Sequence, residues 1–284
     1  VIEVKGLRFS YPGQEEETLK GLSFAIGRGE IFGFLGPSGA GKSTTQKILI
    51  GILKGYQGDV RALGQELRTV RGDFFEKIGV AFEFPNFYGK FTVLENLQFF
   101  ASLYKGETED PLVLLERVGL LESAQVRVAD FSKGMKMRLN FVRAFLHRPQ
   151  LIFLDEPTSG LDPVNSKIIK DFMMEQKAAG KTIVLNTHNM NAAAELCDRV
   201  AFLVDGGIKL IDSPRELMIG RSRKVVRLEY REEGTIHASE FALADVGVNR
   251  EFLRLLQEKD VLTLHTQEAS LEDIFLEVTG KRLA

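Results

Sequence analysis

The chain has 284 residues, 44% of them apolar and 27% charged, with a formal net charge of −2 at pH 7. This length allows one large domain or two ordinary ones with an ample core, while the near-neutral balance excludes a nucleic-acid binder that relies on an overall basic field. The single cysteine, Cys197, excludes an internal disulfide.

No run approaches the roughly 18 consecutive apolar residues of a membrane span, and the opening V-I-E-V-K-G lacks the regions of a signal peptide. The expected compartment is therefore the cytoplasm, with any role at a membrane exercised by docking onto something there. In chain order, Leu7 to Phe9 reads as a strand, followed by Tyr11, a turn tyrosine ahead of Pro12-Gly13. Ile31, Phe32, Phe34 and Leu35 suit a short buried strand, and Ile48, Leu49, Ile52 and Leu53 recur at helical spacing.

Between that strand and helix stands Gly36 to Thr44, G-P-S-G-A-G-K-S-T, which fits the pattern G-x-x-x-x-G-K-[ST] of a loop that cradles phosphates. Gly36, Gly39 and Gly41 allow the tight turn. With Pro37, Ser38 and Ala40 they aim backbone N–H groups at phosphate oxygens, at the positive end of the following helix. Lys42 then reaches the outer phosphates. Ser43, followed by Thr44, carries the hydroxyl for Mg²⁺ bridging the β- and γ-phosphates. A glycine-rich surface turn is the plain alternative.

Ile78 to Pro85, I-G-V-A-F-E-F-P, leads into a stretch from about 87 to 146 whose patterns are helical. Its entrance is rich in phenylalanine: Phe82, Phe84, Phe87, Phe91, Phe99 and Phe100. Some of these belong to the core, and others suit a groove for a partner. Phe131 to Leu139, F-S-K-G-M-K-M-R-L, opens a helix with Leu139, Val142 and Leu146 on one face, and Ser132 reads as its N-cap. Leu151 to Glu156, L-I-F-L-D-E, is a buried strand with two acids at its carboxyl end, where open α/β sheets gather ligands. There Asp155 can hold Mg²⁺ and Glu156 can act as general base on an attacking water; an ordinary sheet edge is the alternative.

Asp162-Pro163 starts a helix that stops at Gly180. Thr182 to Leu185 is a strand that leads to Thr187-His188, and Arg199 to Asp212 forms a hairpin about Asp205-Gly206-Gly207. Cys197 reads as a small core residue. The alternation of strands and helices predicts a parallel sheet wrapped by helices. Beyond about residue 221 a smaller unit follows, with strands at Lys224 to Tyr230 and Val261 to His265, a helix at Phe252 to Leu256 and an amphipathic final helix from Leu271 to Val278.

These motifs, in this order over about residues 1 to 220, resemble the nucleotide-binding subunits of ATP-binding cassette (ABC) transporters. F-S-K-G-M is similar to the family's signature loop, usually written L-S-G-G-Q, with Lys133 and Met135 at its third and fifth positions. That form is similar to the one met in exporter ATPases of the second ABC type, which handle drugs, antibiotics and surface polysaccharides. The resemblance implies an α/β P-loop NTPase fold with an ABC-type antiparallel β-subdomain and a helical subdomain inserted at about 87–146. It also implies a small α+β extension over 221–284, whose ending S-L-E-D-I-F-L-E-V-T-G is similar to that of the same exporter group.

The resemblance further implies that Tyr11 lies against adenine, and that Ser132, Lys133, Gly134 and Met135 bind the γ-phosphate held by a second nucleotide-binding subunit. Ser159-Gly160-Leu161-Asp162 matches the D-loop at the dimer seam, and His188 matches the switch histidine that contacts the γ-phosphate. Structural readings stand beside two of these: Asp162 is also a good helix start and His188 an ordinary strand-end histidine. Glu83 departs from the pattern, because the family normally has a glutamine there that ligates Mg²⁺. A glutamate keeps a hard oxygen ligand and adds a negative charge.

The implied activity is Mg²⁺-dependent hydrolysis of ATP at composite sites of a head-to-tail dimer, expected to be a homodimer, which drives a separate transmembrane permease subunit. Alternatives are a non-transport ABC switch or a binding-only regulatory subunit.

Overall fold

The computed structural model describes residues 1–221, 224–266 and 269–281. Strands β1 (Ile2–Phe9), β2 (Leu19–Ile26) and β3 (Ile31–Leu35) come first, followed by α1 (Lys42–Leu49), β4 (Gln57–Ala62), β5 (Gln65–Glu66), α2 (Gly72–Phe75) and β6 (Ile78–Ala81). Helices α3 (Val93–Ala101), α4 (Pro111–Arg117) and α5 (Lys133–Arg143) fill the stretch before β7 (Leu151–Asp155). Then come α6 (Pro163–Ala178), β8 (Thr182–Thr187), α7 (Met190–Leu196), β9 (Arg199–Val204) and β10 (Gly207–Asp212). The chain divides into two units, residues 1–213 with Lys281, and residues 214–280. The second holds α8 (Pro214–Arg221), β11 (Val225–Glu232), β12 (Thr235–Ala242), α9 (Arg250–Glu258), β13 (Asp260–Thr266) and α10 (Leu271–Thr279).

The first unit is built on two sheets, one of order β2-β1-β4-β5 and one of order β10-β9-β3-β8-β7-β6. In the larger sheet β3, β6, β7, β8 and β9 run parallel and only β10 turns back on β9. Every residue of β3, β7 and β8 is buried, as expected for central parallel strands covered on both faces. The smaller sheet is antiparallel and its strands alternate buried with exposed residues. Phe24 of that sheet meets Phe32 and Phe34 of β3, with ring centroids 5.2–6.0 Å apart, so one core joins the two sheets. The expected parallel sheet and terminal hairpin are both present, and Cys197 is buried.

The helical stretch is set up by local capping. Thr92 and Glu95 form a reciprocal capping box at α3, and Asp110 with Pro111 opens α4. The phenylalanines at its entrance divide as expected: Phe82 packs partly against the core, whereas Phe84 is 80% exposed and Phe91 and Phe99 are also exposed.

In the second unit β12-β11-β13 forms an antiparallel sheet, and Phe252 and Leu255 of α9 pack against Val226, Leu228 and Phe241. The helix α8, which the sequence reading leaves at the end of the first domain, belongs here and packs with α10.

His147, just after α5, ties the helical stretch to the larger sheet. Its Nε2 donates to the Ile78 carbonyl at 2.7 Å and its ring stacks on Tyr104 at 3.8 Å. Burial holds its pKa below the ordinary 6.5, despite the opposing pull of the Ile78 carbonyl and Glu76, and Lys181 adds to the lowering. In the unfolded chain this imidazole takes up a proton below about pH 6.5, whereas the folded ring stays neutral. Its contribution to stability is therefore complete above that pH and is lost as the pH falls. Denaturant midpoints at pH 7.5 and 5.5 should show the acid loss in the wild type and a smaller loss in His147→Gln; equal losses would contradict this assignment.

Candidate active site

The turn from β3 to α1 leaves no choice of residue at its start. A Cβ on Gly36 would stand 2.1 Å from the Leu203 carbonyl oxygen, so only hydrogen fits. Gly39 and Gly41 adopt φ of +80° and +106°, conformations that side chains other than glycine rarely take. Gly41 caps α1 without any side-chain hydrogen bond, and no acid occupies the first turn. The first helical bond runs from Thr45 N to Gly41 O at 2.8 Å. The N–H groups of Lys42, Ser43 and Thr44 lie ahead of it at the helix's positive end.

Lys42 Nζ donates to the carbonyls of Gly36 and Pro37, and burial lowers its pKa against the raising pull of Glu156, Asp155 and Glu83. Tyr11 shares a hydrogen bond of 3.1 Å between its hydroxyl and Thr44 Oγ1 and sits edge-on to Phe9.

Opposite the cradle, β7 delivers two acids. Asp155 is buried, and Ser43 Oγ donates to its Oδ2 at 3.4 Å. Burial raises the Asp155 pKa, an Asn186 hydrogen bond lowers it, and the charges of Glu156 and Glu83 raise it again.

Glu156 is 8% exposed and takes a left-handed backbone with φ of +48°, a conformation that costs about 1–3 kcal/mol outside glycine. Its own N–H donates to Asn186 O at 2.9 Å. Its carboxylate accepts three bonds: the His188 backbone N–H at 2.8 Å, His188 Nδ1 at 2.6 Å and Thr187 Oγ1 at 3.0 Å.

Residues Ser38 to Thr44 of the cradle, Tyr11, Glu83, Asp155, Glu156 and His188 all line one open cleft of about 930 Å³, whereas Gly36 and Pro37 do not. The sequence reading missed the hydroxyl of Thr187 and the buried amides of Asn186 and Gln46, which bond each other beneath the cleft. Gln46, a long amide on the buried face of α1 beside Thr45, Ile48 and Leu49, was the available signal.

Asp155, Glu156 and Glu83 face the Lys42 ammonium in this cleft, and over the whole lining six acids, with Glu16, Glu17 and Asp205 added, outnumber Lys20 and Lys42. An anionic ligand entering it would need a cation to balance the charge. Among the described residues no three His, Cys, Asp or Glu side chains form a metal cage. Ser43, Asp155 and Glu83 bring oxygen donors to the cleft, the donor type of Mg²⁺, which takes one or two carboxylates and completes its octahedron with water and substrate phosphates.

The remaining sequence candidates lie elsewhere. Ser132 caps α5, accepting from Met135 N at 3.2 Å, and Asp162 caps α6, accepting from Asn165 N at 3.0 Å. Lys133 lies beside Gly160, and Gly134 beside Leu161. These two loops are neighbours, yet none of Ser132, Lys133, Gly134, Met135 and Asp162 lines the cleft.

Residues 19–159 match the family model described as ABC transporter, and residues 224–268 match one described as the fluoroquinolone efflux ABC transporter C-terminal domain. The chain is similar to a fluoroquinolones export ATP-binding protein of Mycobacterium tuberculosis, at 53% identity over all of this chain and 94% of the relative. It is also similar to a Nod factor export ATP-binding protein I of a Rhizobium species, at 34% identity over 99% and 98% of the two chains.

Among solved structures, an ATP-binding subunit of an ABC transporter superposes with a TM-score of 0.70 at 32% identity, covering 78% of this chain and 92% of that one. A dimeric ATP-binding cassette in a post-hydrolysis state with ADP and Pi gives 0.69 at 27% identity, covering 75% and 98%.

The backbone clash at Gly36 and the mere φ strain at Gly39, where a Cβ would meet nothing, separate in stability. Gly36→Ala should cost about 1–3 kcal/mol through overpacking, and Gly39→Ala about 1–2 kcal/mol through its left-handed backbone alone. In addition, only Gly36→Ala should displace β9 and so broaden the backbone amide signals around Leu203. Undisturbed signals there would contradict the close packing of this turn.

Proposed function

Because the chain belongs to the ATP-binding subunits of ABC transporters, we propose that it powers export of a small drug-like molecule through a separate permease, hydrolysing Mg²⁺-bound ATP in the cleft described above. The observation that carries this reading is the pairing of an uncapped helix end and Lys42 on one wall with Asp155 and a donor-held Glu156 on the other. The chain is a nucleotide-binding ATPase subunit. Its cargo class is inferred from the full-length similarity to a fluoroquinolones export protein and the matched C-terminal domain.

In this mechanism the triphosphate takes up the N–H groups of the Gly36–Thr44 loop, and Lys42 exchanges the Gly36 and Pro37 carbonyls for the outer phosphates. Tyr11 borders the side of the cleft left for adenine. Ser43, Asp155 and Glu83 would hold Mg²⁺, which neutralises charge on the β- and γ-phosphates. Glu156 accepts the proton of the attacking water, while Thr187 and His188 fix the orientation of its carboxylate. That hydrogen-bonded arrangement favours an active hydrolase over a binding-only subunit.

Ser132, Lys133, Gly134 and Met135 offer a second helix end that does not line this cleft, and a second copy of the chain would supply them in trans, with Asp162 at the seam. No described helix is long and apolar enough to cross a membrane. The groove of about 270 Å³ lined by Ile52, Phe75, Phe82, Phe100 and Tyr104, with exposed Phe84 nearby in sequence, is the surface proposed to receive the permease. The chain would then work at the inner face of the membrane.

Glu156→Gln should lower the hydrolysis rate by about 10²–10⁴ and still bind ATP, whereas Lys42→Ala should lose about tenfold or more in nucleotide affinity, the scale of a charge-assisted contact. Steady-state phosphate release and fluorescent-nucleotide binding check both. Normal turnover by Glu156→Gln would remove the assigned base, and unchanged binding by Lys42→Ala would remove the cradle.

A further inference from the structure

Glu83 is the one proposed metal ligand that stands on an irregular segment, between β6 and α3. That segment is held from one side by a single helix. Asn140 of α5 is 2% exposed, a core position where an amide is tolerated only with its groups paired. Both are paired: Nδ2 donates to the Phe82 carbonyl at 2.7 Å, and Oδ1 accepts from Arg143 Nη2 at 2.8 Å. Arg143 in turn donates from Nη1 to the Asn86 carbonyl at 3.0 Å. Its guanidinium lies over the rings of Phe87 and Phe100, 5.0 and 4.9 Å from their centroids. Two side chains one helical turn apart thus grip the carbonyls at either end of residues 82–86, and Glu83 follows directly on the first of them.

We propose that Asn140 is a positioning residue for Glu83. By fixing the Phe82 carbonyl it sets where the Glu83 carboxylate stands relative to Ser43 and Asp155. Asn140 belongs to α5, whose first turn is capped by Ser132, so the metal-facing acid and the helix end offered to a second subunit are tied to the same helix. This inference rests on the reading of Glu83 as an Mg²⁺ ligand. A staple that served stability alone would leave metal affinity untouched once the chain is folded.

The test uses Mn²⁺ as a spectroscopic substitute, titrated by electron paramagnetic resonance into the full chain with saturating ADP, beside fluorescent ADP binding measured in EDTA. Asn140→Ala should weaken Mn²⁺ binding by about tenfold, the low end for loss of a group that orients a metal ligand, and leave metal-free ADP binding within about twofold of wild type. Asn140→Asp keeps the acceptor for Arg143 and so the helix packing, but turns an acceptor on the Phe82 carbonyl; it should show the same metal defect.

On a Glu83→Ala background, Asn140→Ala should weaken Mn²⁺ binding no further, since a residue acting only through Glu83 has nothing left to position. Weakened binding in Glu83→Ala with wild-type binding in both Asn140 variants would overturn the positioning role alone. A full further loss on the Glu83→Ala background would also overturn it. Wild-type Mn²⁺ binding in Glu83→Ala would instead overturn the ligand reading beneath it, and this inference with it.

Discussion

The absence of space at Gly36 governs the site. With the Leu203 carbonyl where a side chain would begin, β3 has to end against β9 and α1 has to start within a few residues, through two glycines of positive φ. A helix begun in this way has no capping side chain, and its first N–H groups face the cleft in place of an internal partner. The same turn brings Lys42 into partial burial beside Asp155 and Glu156. The charges of Lys42 and Asp155 are each disfavoured there alone, and burial moves their two pKa values in opposite directions; their mutual attraction offsets part of that cost. Six acids against two lysines leave the cleft lining negative, so an anionic ligand entering it needs a cation to balance the charge.

Chemistry in this cleft depends on a second constraint, the backbone of Glu156. A left-handed φ at the end of β7 turns the carboxylate toward the end of β8, where Thr187 and His188 hold it with a hydroxyl, a backbone N–H and an imidazole. Strain of this kind persists only where surrounding bonds over-determine it, and the bond from Glu156 N to Asn186 O supplies part of that restraint. The Glu156 carboxylate is thereby preorganised by the end of a neighbouring strand, while the backbone on either side of Glu83 is bonded by α5. The two acids thus answer to different parts of the fold.

Much of this was legible in the sequence, for identifiable reasons. The cradle and the strand-end pair Asp155-Glu156 are local patterns, where residue type, spacing and flanking hydrophobicity speak together. The β9–β10 hairpin and the caps at Asp162 and Ser132 are local in the same sense. What escaped depends on residues far apart in the chain. The Gln46–Asn186 amide pair spans 140 positions and the Asn140 bond to Phe82 spans 58, and neither leaves a periodic mark. Ser132 shows a further limit: a capping serine and a phosphate-binding serine would be the same residue in the same place, and pattern alone names only the cap.

The composite site is the central claim, and complementation between two defective chains tests it most directly. Lys42→Ala spoils the cradle. Gly134→Asp places a carboxylate in the first turn of α5, which favours the helix but repels a phosphate, and a Cβ there meets only Leu161 at 3.4 Å. Each variant alone should fail to hydrolyse ATP. Mixed together, they should recover activity, because a dimer of one of each retains one intact cradle facing one intact α5 end. A mixture as inactive as its components, or full turnover by Gly134→Asp alone, would contradict a site shared between two copies of this chain.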